Sequence, residues 1–432
     1  MELIWSLPAS ARVFLVFAIM LVLIRKKISL GNAFFIGALV LSFLFGMQFR
    51  DTLESFVNSI TYPKTISLAI IVSLILVFSA SMQNTGHLKR MLNGFQGFIS
   101  NNKVNLILFP ALIGLLPMPG GAIFSAPMVK ELGAGTMLPG DKMSFINYWF
   151  RHIWEYCWPL YPGILLTVTL ADLNLWGFML LMSPFPLVAL GLGYLAIIKF
   201  IPADQPGPGE SRVSLRAFIA LLSPILIVII LGLGLGIFLS LIFPFFQIAK
   251  EIGLICSLCV AIGWVWYKNN LISYEIKEVL LDKHILDMIY MVAAILIFKG
   301  ILEDSHAVGT ISNELIRLHV PLSVITVALP MLVGGVVGIT IAFVGSTFPI
   351  LIALIDTYGA TQYMPIYIML GLVSGLVGVL LSPLHLCLLL SNKFFCTSLS
   401  KVYRYLWMPC LGLLLVGIMY FLASKYASLI LF

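Results

Sequence analysis

The chain has 432 residues, of which 61% are hydrophobic and only 10% charged, and its mean hydropathy is +1.08. A soluble globule is excluded, because most of the length lies in apolar runs that only lipid tolerates at a surface. The formal net charge of +7 does not point to nucleic acid, since the lysines and arginines come one to three at a time between apolar runs, as in the loops of a multi-pass membrane protein.

The first apolar run, about residues 5–24, ends at Arg25-Lys26-Lys27, which on the positive-inside rule places that loop in the cytoplasm and the N-terminus outside. Glu2 and the lack of a basic leader argue that this helix is retained rather than cleaved. Runs at about 29–47 and 65–82 are the next two spans, with 48–64 read as an outer loop. Residues 83–102 interleave His87, Lys89 and Arg90 with Leu88, Met91 and Leu92, an amphipathic pattern expected to lie on the cytoplasmic face.

Residues 103–133 hold two apolar arms, each shorter than the roughly 20 residues a spanning helix needs, joined by Leu116-Pro-Met-Pro-Gly-Gly-Ala122. Proline and glycine end the helix there, and non-helical backbone at membrane depth survives only inside protein or beside a wet cavity. The segment is therefore read as a re-entrant hairpin whose tip serves a binding site, with Gly120 and Gly121 exposing backbone N–H groups to a ligand. A span at about 143–170 follows, interrupted at Trp158-Pro-Leu-Tyr-Pro-Gly163, and 175–198 closes the first half. Residues 201–215, rich in proline and glycine at their start, form a cytoplasmic linker.

The second half repeats this order: spans at about 217–242, 246–267 and 284–302, an amphipathic segment at 303–319, a glycine-rich hairpin at 320–356, a span from about 362 interrupted at Ser382-Pro383, and a last span at 404–423. Five spans per half, an odd number, invert the second copy and put both termini outside. The fold class expected is an all-α polytopic membrane protein. It comprises an inverted repeat (1–200 and 216–432), about ten transmembrane helices, two re-entrant hairpins and two broken helices, as in secondary transporters. The scaffold helices are 1–82 and 216–302, and the broken and closing helices 141–200 and 361–424.

Arg151, His152 and Glu155 are the densest ionisable group inside any span, and charge at that depth is costly enough that function is the default reading. On a continuous helix their spacing puts all three on one face. Arg151 suits a fixed anion site, and His152 with Glu155 suits proton coupling; the rival is an internal ion pair that holds the broken helix. Asn147 lies one turn earlier, and His385, at the second break, is the counterpart of His152 in the other half. Ser346, Thr347 and Ser382 offer hydroxyls. Trp149, Trp154, Trp158 and Tyr161 read as an interfacial belt, and Gly371, Gly375 and Gly378 as a close-packing helix face. The six cysteines fall in or near apolar segments, so no disulfide scaffold is indicated, and the C-x-x-C of Cys256 and Cys259, with no second pair or histidine cluster nearby, reads as small packing residues.

In order of elements the chain resembles the ion transporter superfamily of citrate, gluconate and dicarboxylate carriers and some sodium/proton antiporters. The runs Leu116 to Ala122 and Asn147-Tyr-Trp-Phe-Arg-His-Ile-Trp-Glu155 look like those of a prokaryotic integral membrane family catalogued as a domain of unknown function within it. The resemblance implies a transport domain made of the hairpin tips (117–122 and 338–347) and the helix breaks (159–163 and 382–385), on a scaffold that often dimerises. The dicarboxylate carriers have Ser-Asn-Thr at their tips where this chain has Pro-Met-Pro-Gly-Gly and Gly-Ser-Thr, so no substrate is implied.

The function expected is secondary active transport of a small anionic solute in a prokaryotic cell membrane, driven by protons or sodium and needing no cofactor. The partners are the bilayer, the solute and a second copy of the chain. A cation/proton antiporter is the alternative, and a membrane-embedded hydrolase holding a metal with His152, Glu155 and His385 a remote one.

Overall fold

Where the chain leaves one apolar run for the next, proline, serine or asparagine starts several of the new helices: Ser29 accepts from the N–H of Asn32, Asn174 from that of Gly177, and Pro63 and Pro162 open their helices, as first-turn positions favour. The computed structural model describes residues 7–96, 102–117, 121–134, 138–197, 201, 215–243 and 248–431, and every regular element among them is helical. The first half contains α1 (Ala9–Arg25), α2 (Leu30–Leu44), α3 (Phe49–Thr61), α4 (Pro63–Asn84), α5 (His87–Gln96), α6 (Asn102–Gly114), α7 (Ala122–Ala134), α8 (Gly140–Arg151), α9 (Pro162–Leu170), α10 (Leu175–Met182) and α11 (Pro184–Ala196). The second contains α12 (Leu215–Ile242), α13 (Ala249–Lys268), α14 (Ser273–Leu280), α15 (Lys283–Asp304), α16 (Ala307–Arg317), α17 (Leu322–Val337), α18 (Thr340–Thr357), α19 (Met364–Leu380), α20 (Leu386–Phe394) and α21 (Leu399–Leu431).

The two sets follow the same order, α10 and α11 together standing where the second half has α21, and packing between them comes in equivalent pairs. Helix α2 lies on α15 as α13 lies on α4; α5 lies on α12 as α16 lies on α1; α20 lies on α7 as α9 lies on α18. The turns match too. Left-handed residues occur at Gly46 and Asn270, each between a second and third helix, and at Gly86 and His306, each before a surface helix. Glycine takes that conformation freely and asparagine and histidine more readily than most, so two turn geometries have been kept with different residues.

Among the described helices long and apolar enough to cross a membrane, the second broken helix is the most buried and α12 the least. The apolar window of α19 is 83% buried and that of α12 only 22%. In the interior, α17 and α19 approach closely at small residues: a β-carbon on Gly334 would strike the Gly375 carbonyl, and one on Gly378 the Met331 carbonyl. Such approach supplies the van der Waals attraction that joins helices in lipid.

The structure departs from the sequence reading at five places. Residues expected as the loops 48–64 and 268–283 contain α3 and α14, amphipathic helices whose charged faces masked their periodicity; α3 seats Ser55 and Ser59 against Gly300 of α15. The first helix breaks after Arg151, well before Pro159. The second hairpin turns at Gly338 and Ile339, with Gly338 left-handed, and does not extend to Thr347. Its arms have 16 and 18 residues, against 13 and 13 in the first hairpin. Finally, eight helices among the described residues are long and apolar enough to cross a membrane, rather than ten. Seven lie in expected spans and the eighth is α18, whereas α1 and α2 are shorter and α8–α9 is split. Of the linker, all but Ile201 and Leu215 lies outside the described residues.

One contact ties the halves at the surface. Glu314 of α16 accepts from the backbone N–H groups of Ala9 and Ser10 at 2.6 and 2.8 Å, capping α1. Burial alone would push its carboxyl up, but the hydrogen bonds from Ser10 and Ala9 and the charge of Arg12 outweigh that and hold it below the ordinary carboxylate range. A lowered carboxyl stabilises the fold above its unfolded pKa and loses that contribution as pH falls through the folded value. Glu314→Gln should therefore destabilise the detergent-purified protein by about 1 kcal/mol near neutrality, as loss of an N-cap does. Melting temperatures of both proteins across pH check this: the gap should shrink once pH drops below about 4, and a gap of constant size would exclude the capping charge as its cause.

Candidate functional site

Helix α8 stops at Arg151 for a local reason. In a continuing helix the N–H of His152 would bond the carbonyl of Tyr148; instead it donates to Trp149 at 3.1 Å, while the His152 Nδ1–H donates to the Tyr148 carbonyl at 2.6 Å. A side chain has taken the acceptor that the next turn needed. The chain then runs through successive turns to Tyr161, and Pro162 starts α9. The second break, at 381–385, contains Ser382-Pro383, and His385 precedes the first residue of α20.

These breaks and both hairpin tips meet. Gly114 and Gly121, which flank the first tip, pack on Arg151: a β-carbon on Gly114 would strike its backbone carbonyl and one on Gly121 its guanidinium. At the second tip, Gly338 lies against the Ser382 hydroxyl and the His385 backbone. The Thr340 hydroxyl, one residue past that tip, donates to Glu155 Oε2 at 3.4 Å.

At the centre are two imidazoles. His152 Nε2 and His385 Nε2 are 3.1 Å apart, and Glu155 Oε1 is 3.8 Å from the same atom of His152. A carbonyl can only accept, so Tyr148 fixes the proton of a neutral His152 on Nδ1 and leaves a lone pair on Nε2. His385 must then be the donor between them, and its own Nδ1 is buried without a protein partner. The Tyr148 ring packs against both imidazoles, its hydroxyl donating to the Leu380 carbonyl at 3.0 Å.

Other expected residues fall into two groups. Asn147 bridges the halves: its Nδ2 donates to the Ala122 carbonyl at 3.0 Å and to Ser391 Oγ at 2.8 Å, and its Oδ1 is buried with no protein partner. Ser382 is buried and accepts from the N–H of Leu384 at 3.3 Å. Ser346 and Thr347, by contrast, lie well inside α18 and donate to its own carbonyls, Ala342 and Phe343, so they are not tip residues. Gly120 lies outside the described residues.

Three expectations change. Arg151 and Glu155 do not share a helical face, because the helix ends between them; Glu155 pairs with His152, and Arg151 donates to the Ile113 carbonyl at 3.4 Å. The aromatics are not an interfacial belt: Trp149 is buried and donates to the Ala189 carbonyl, Trp154 to Ala111, and Tyr161 to Gly114. The sequence reading also missed Cys387, whose buried sulfur lies within 4.8 Å of a ring nitrogen of His152 and of His385. Its signal was slight, a cysteine two residues after the histidine at a helix break. The site thus combines a fixed cation, a carboxylate, two imidazoles and a thiol where four interrupted helices end, an arrangement that can hold an ion and exchange protons. A cavity of about 570 Å³, lined by Pro117, Ile123 and Phe124 of the first hairpin and by α2, α4 and α15, separates that hairpin from the outer helices.

The chain belongs to the family described as "Protein of unknown function (DUF401)", whose model matches residues 9–423. Among solved structures, the YdaH transporter of Alcanivorax borkumensis superposes with a TM-score of 0.60 over 88% of this chain and 89% of that one, at 13% identity. At that identity the likeness is one of fold, and it makes this chain an all-α polytopic membrane protein. Comparison with curated proteins finds no match.

The two glycines separate stability from site geometry. Gly114→Ala meets backbone, which cannot move cheaply, and should cost on the order of 1–3 kcal/mol. Gly121→Ala meets the end of a side chain, so it should displace the guanidinium with a smaller loss. In a double-mutant cycle with Arg151→Ala, the cost of Gly121→Ala should fall and that of Gly114→Ala should not. Melting temperatures of the unmodified protein, the three single variants and the two double variants measure this, and equal relief at both positions would contradict the assigned contacts.

Proposed function

We propose that this member of the DUF401 family is a secondary active transporter of a small anionic solute, within the ion transporter superfamily. One observation carries the reading: two hairpin tips and two helix breaks, one of each from either half, converge on Arg151, His152, Glu155 and His385. Secondary transporters place broken helices at the midplane because free helix ends supply partial charges to solute and ion. The name of the YdaH transporter, similar in fold, agrees with this class.

In this reading the hairpins re-enter from opposite faces, and α6–α9 and α17–α20 form a transport domain. Helices α1–α5 and α12–α16 form the scaffold, through which two copies pair in a prokaryotic cell membrane. Arg151 at the first tip attracts the anion, with Gly121, Asn147 and Ser382 around it. His152 and Glu155 couple its movement to protons, the carboxylate holding the imidazole in place. Alternating access follows as an elevator-type movement of the transport domain past the scaffold. A cation/proton antiporter is a second reading, favoured by the bond of Arg151 to the Ile113 carbonyl, which occupies part of its fork.

Proteoliposomes discriminate these. Small carboxylates should accumulate only under a proton or sodium gradient. Glu155→Gln should still exchange solute but no longer concentrate it, and Arg151→Gln should weaken solute binding. Gradient-driven cation exchange without any solute would favour the antiporter. Orientation is tested separately, with Cys256, Cys259 and Cys396 replaced by serine: Lys89→Cys should be labelled only from the cytoplasm and Arg317→Cys only from outside. Labelling of both from one face would remove the inverted repeat.

A further inference from the structure

We infer that His152, His385 and Cys387 form a binding site for a thiophilic transition-metal cation, of which Zn²⁺ is representative, closed across the two halves of the chain. The ligating atoms of the three residues lie within 4.8 Å of one another, and all three residues are buried. Two nitrogens on a tetrahedral zinc, each about 2.0–2.1 Å from it, lie about 3.3 Å apart; His152 Nε2 and His385 Nε2 are 3.1 Å apart. The pair is thus spaced as two ligands of one ion with little movement.

The surroundings support this. A metal-bound histidine usually donates its other N–H to a carbonyl or carboxylate, which fixes ring and tautomer; the His152 Nδ1–H does so to Tyr148, at 2.6 Å. The His152 lone pair then faces the gap between the two imidazoles, where Cys387 supplies sulfur; binding an ion there displaces the proton that His385 Nε2 donates to His152. Glu155, 3.8 Å from His152 Nε2, is near enough to become a fourth ligand or to leave that position to water. Two imidazoles and a thiolate select zinc-like and copper-like ions over magnesium and calcium. The alternative is a pair of imidazoles sharing one proton with a thiol as neighbour.

Binding does not depend on transport and is read on the detergent-purified full-length protein. After stripping with a chelator, the protein should take up close to one Co²⁺ or Zn²⁺ per chain, and the cobalt form should show a thiolate-to-metal charge-transfer band. Cys387→Ser should remove that band, and Cys387→Ser and His385→Gln should each weaken zinc binding, measured by chelator competition, on the order of tenfold or more. Cys256→Ser with Cys259→Ser should leave both unchanged. Melting temperatures without metal show whether each variant folds, and should one fail, the cobalt spectrum of the unmodified protein decides. Absence of the band, unweakened binding in both site variants, or binding lost only with Cys256 and Cys259 would each overturn the site.

Discussion

A helix that stops inside apolar surroundings frees carbonyls that no water can satisfy, and each costs several kcal/mol if left alone. Everything at the centre of this molecule follows from meeting that demand with side chains. Arg151, Trp154 and Tyr161 donate to Ile113, Ala111 and Gly114, the last carbonyls of α6. Tyr148 and Tyr403 donate to Leu380 and Leu381, where α19 ends, and Asn147 donates to Ala122. The donors reaching these breaks come largely from α8 and the turns after it. That concentration explains why the densest polar chemistry lies in one broken helix while its equivalent, α19, is almost wholly apolar.

The repeat is therefore close in architecture and unequal in chemistry. Matching turns at Gly46 and Asn270, and at Gly86 and His306, show the same geometry built twice. At the centre the first half gives arginine, histidine and carboxylate, and the second gives histidine and thiol. A symmetric pair of sites would bring like charges together at low dielectric, where their repulsion is strongest; one shared site built from unlike halves does not.

What was legible in the sequence was the punctuation. Gly-Gly and Pro pairs marked the first tip, Ser382-Pro383 marked the second break within a residue or two, and charge beside apolar stretches marked α5 and α16. The first break was misplaced because its cause is the His152 side chain taking a carbonyl, which leaves no proline or glycine as a sign. Helices α3 and α14 were read as loops because charge there outweighed a real periodicity. Cys387 drew no role because a lone cysteine in an apolar run carries no spacing to interpret, and only the fold brings it to two histidines from different breaks.

The bonds between halves at the centre are short and many: His152 with His385, Thr340 with Glu155, Asn147 with Ser391, and Ser144 with Asn392 at 2.6 Å. Helices α9 and α20 each reach across to the other half's hairpin, interlocking the two like clasped hands. Sliding one half against the other would break the clasp and strand buried polar atoms, whereas carrying all of it along the face of the lipid-facing helices breaks none of these bonds. The unit that these bonds hold together is thus the interlocked centre drawn from both halves, rather than either half by itself.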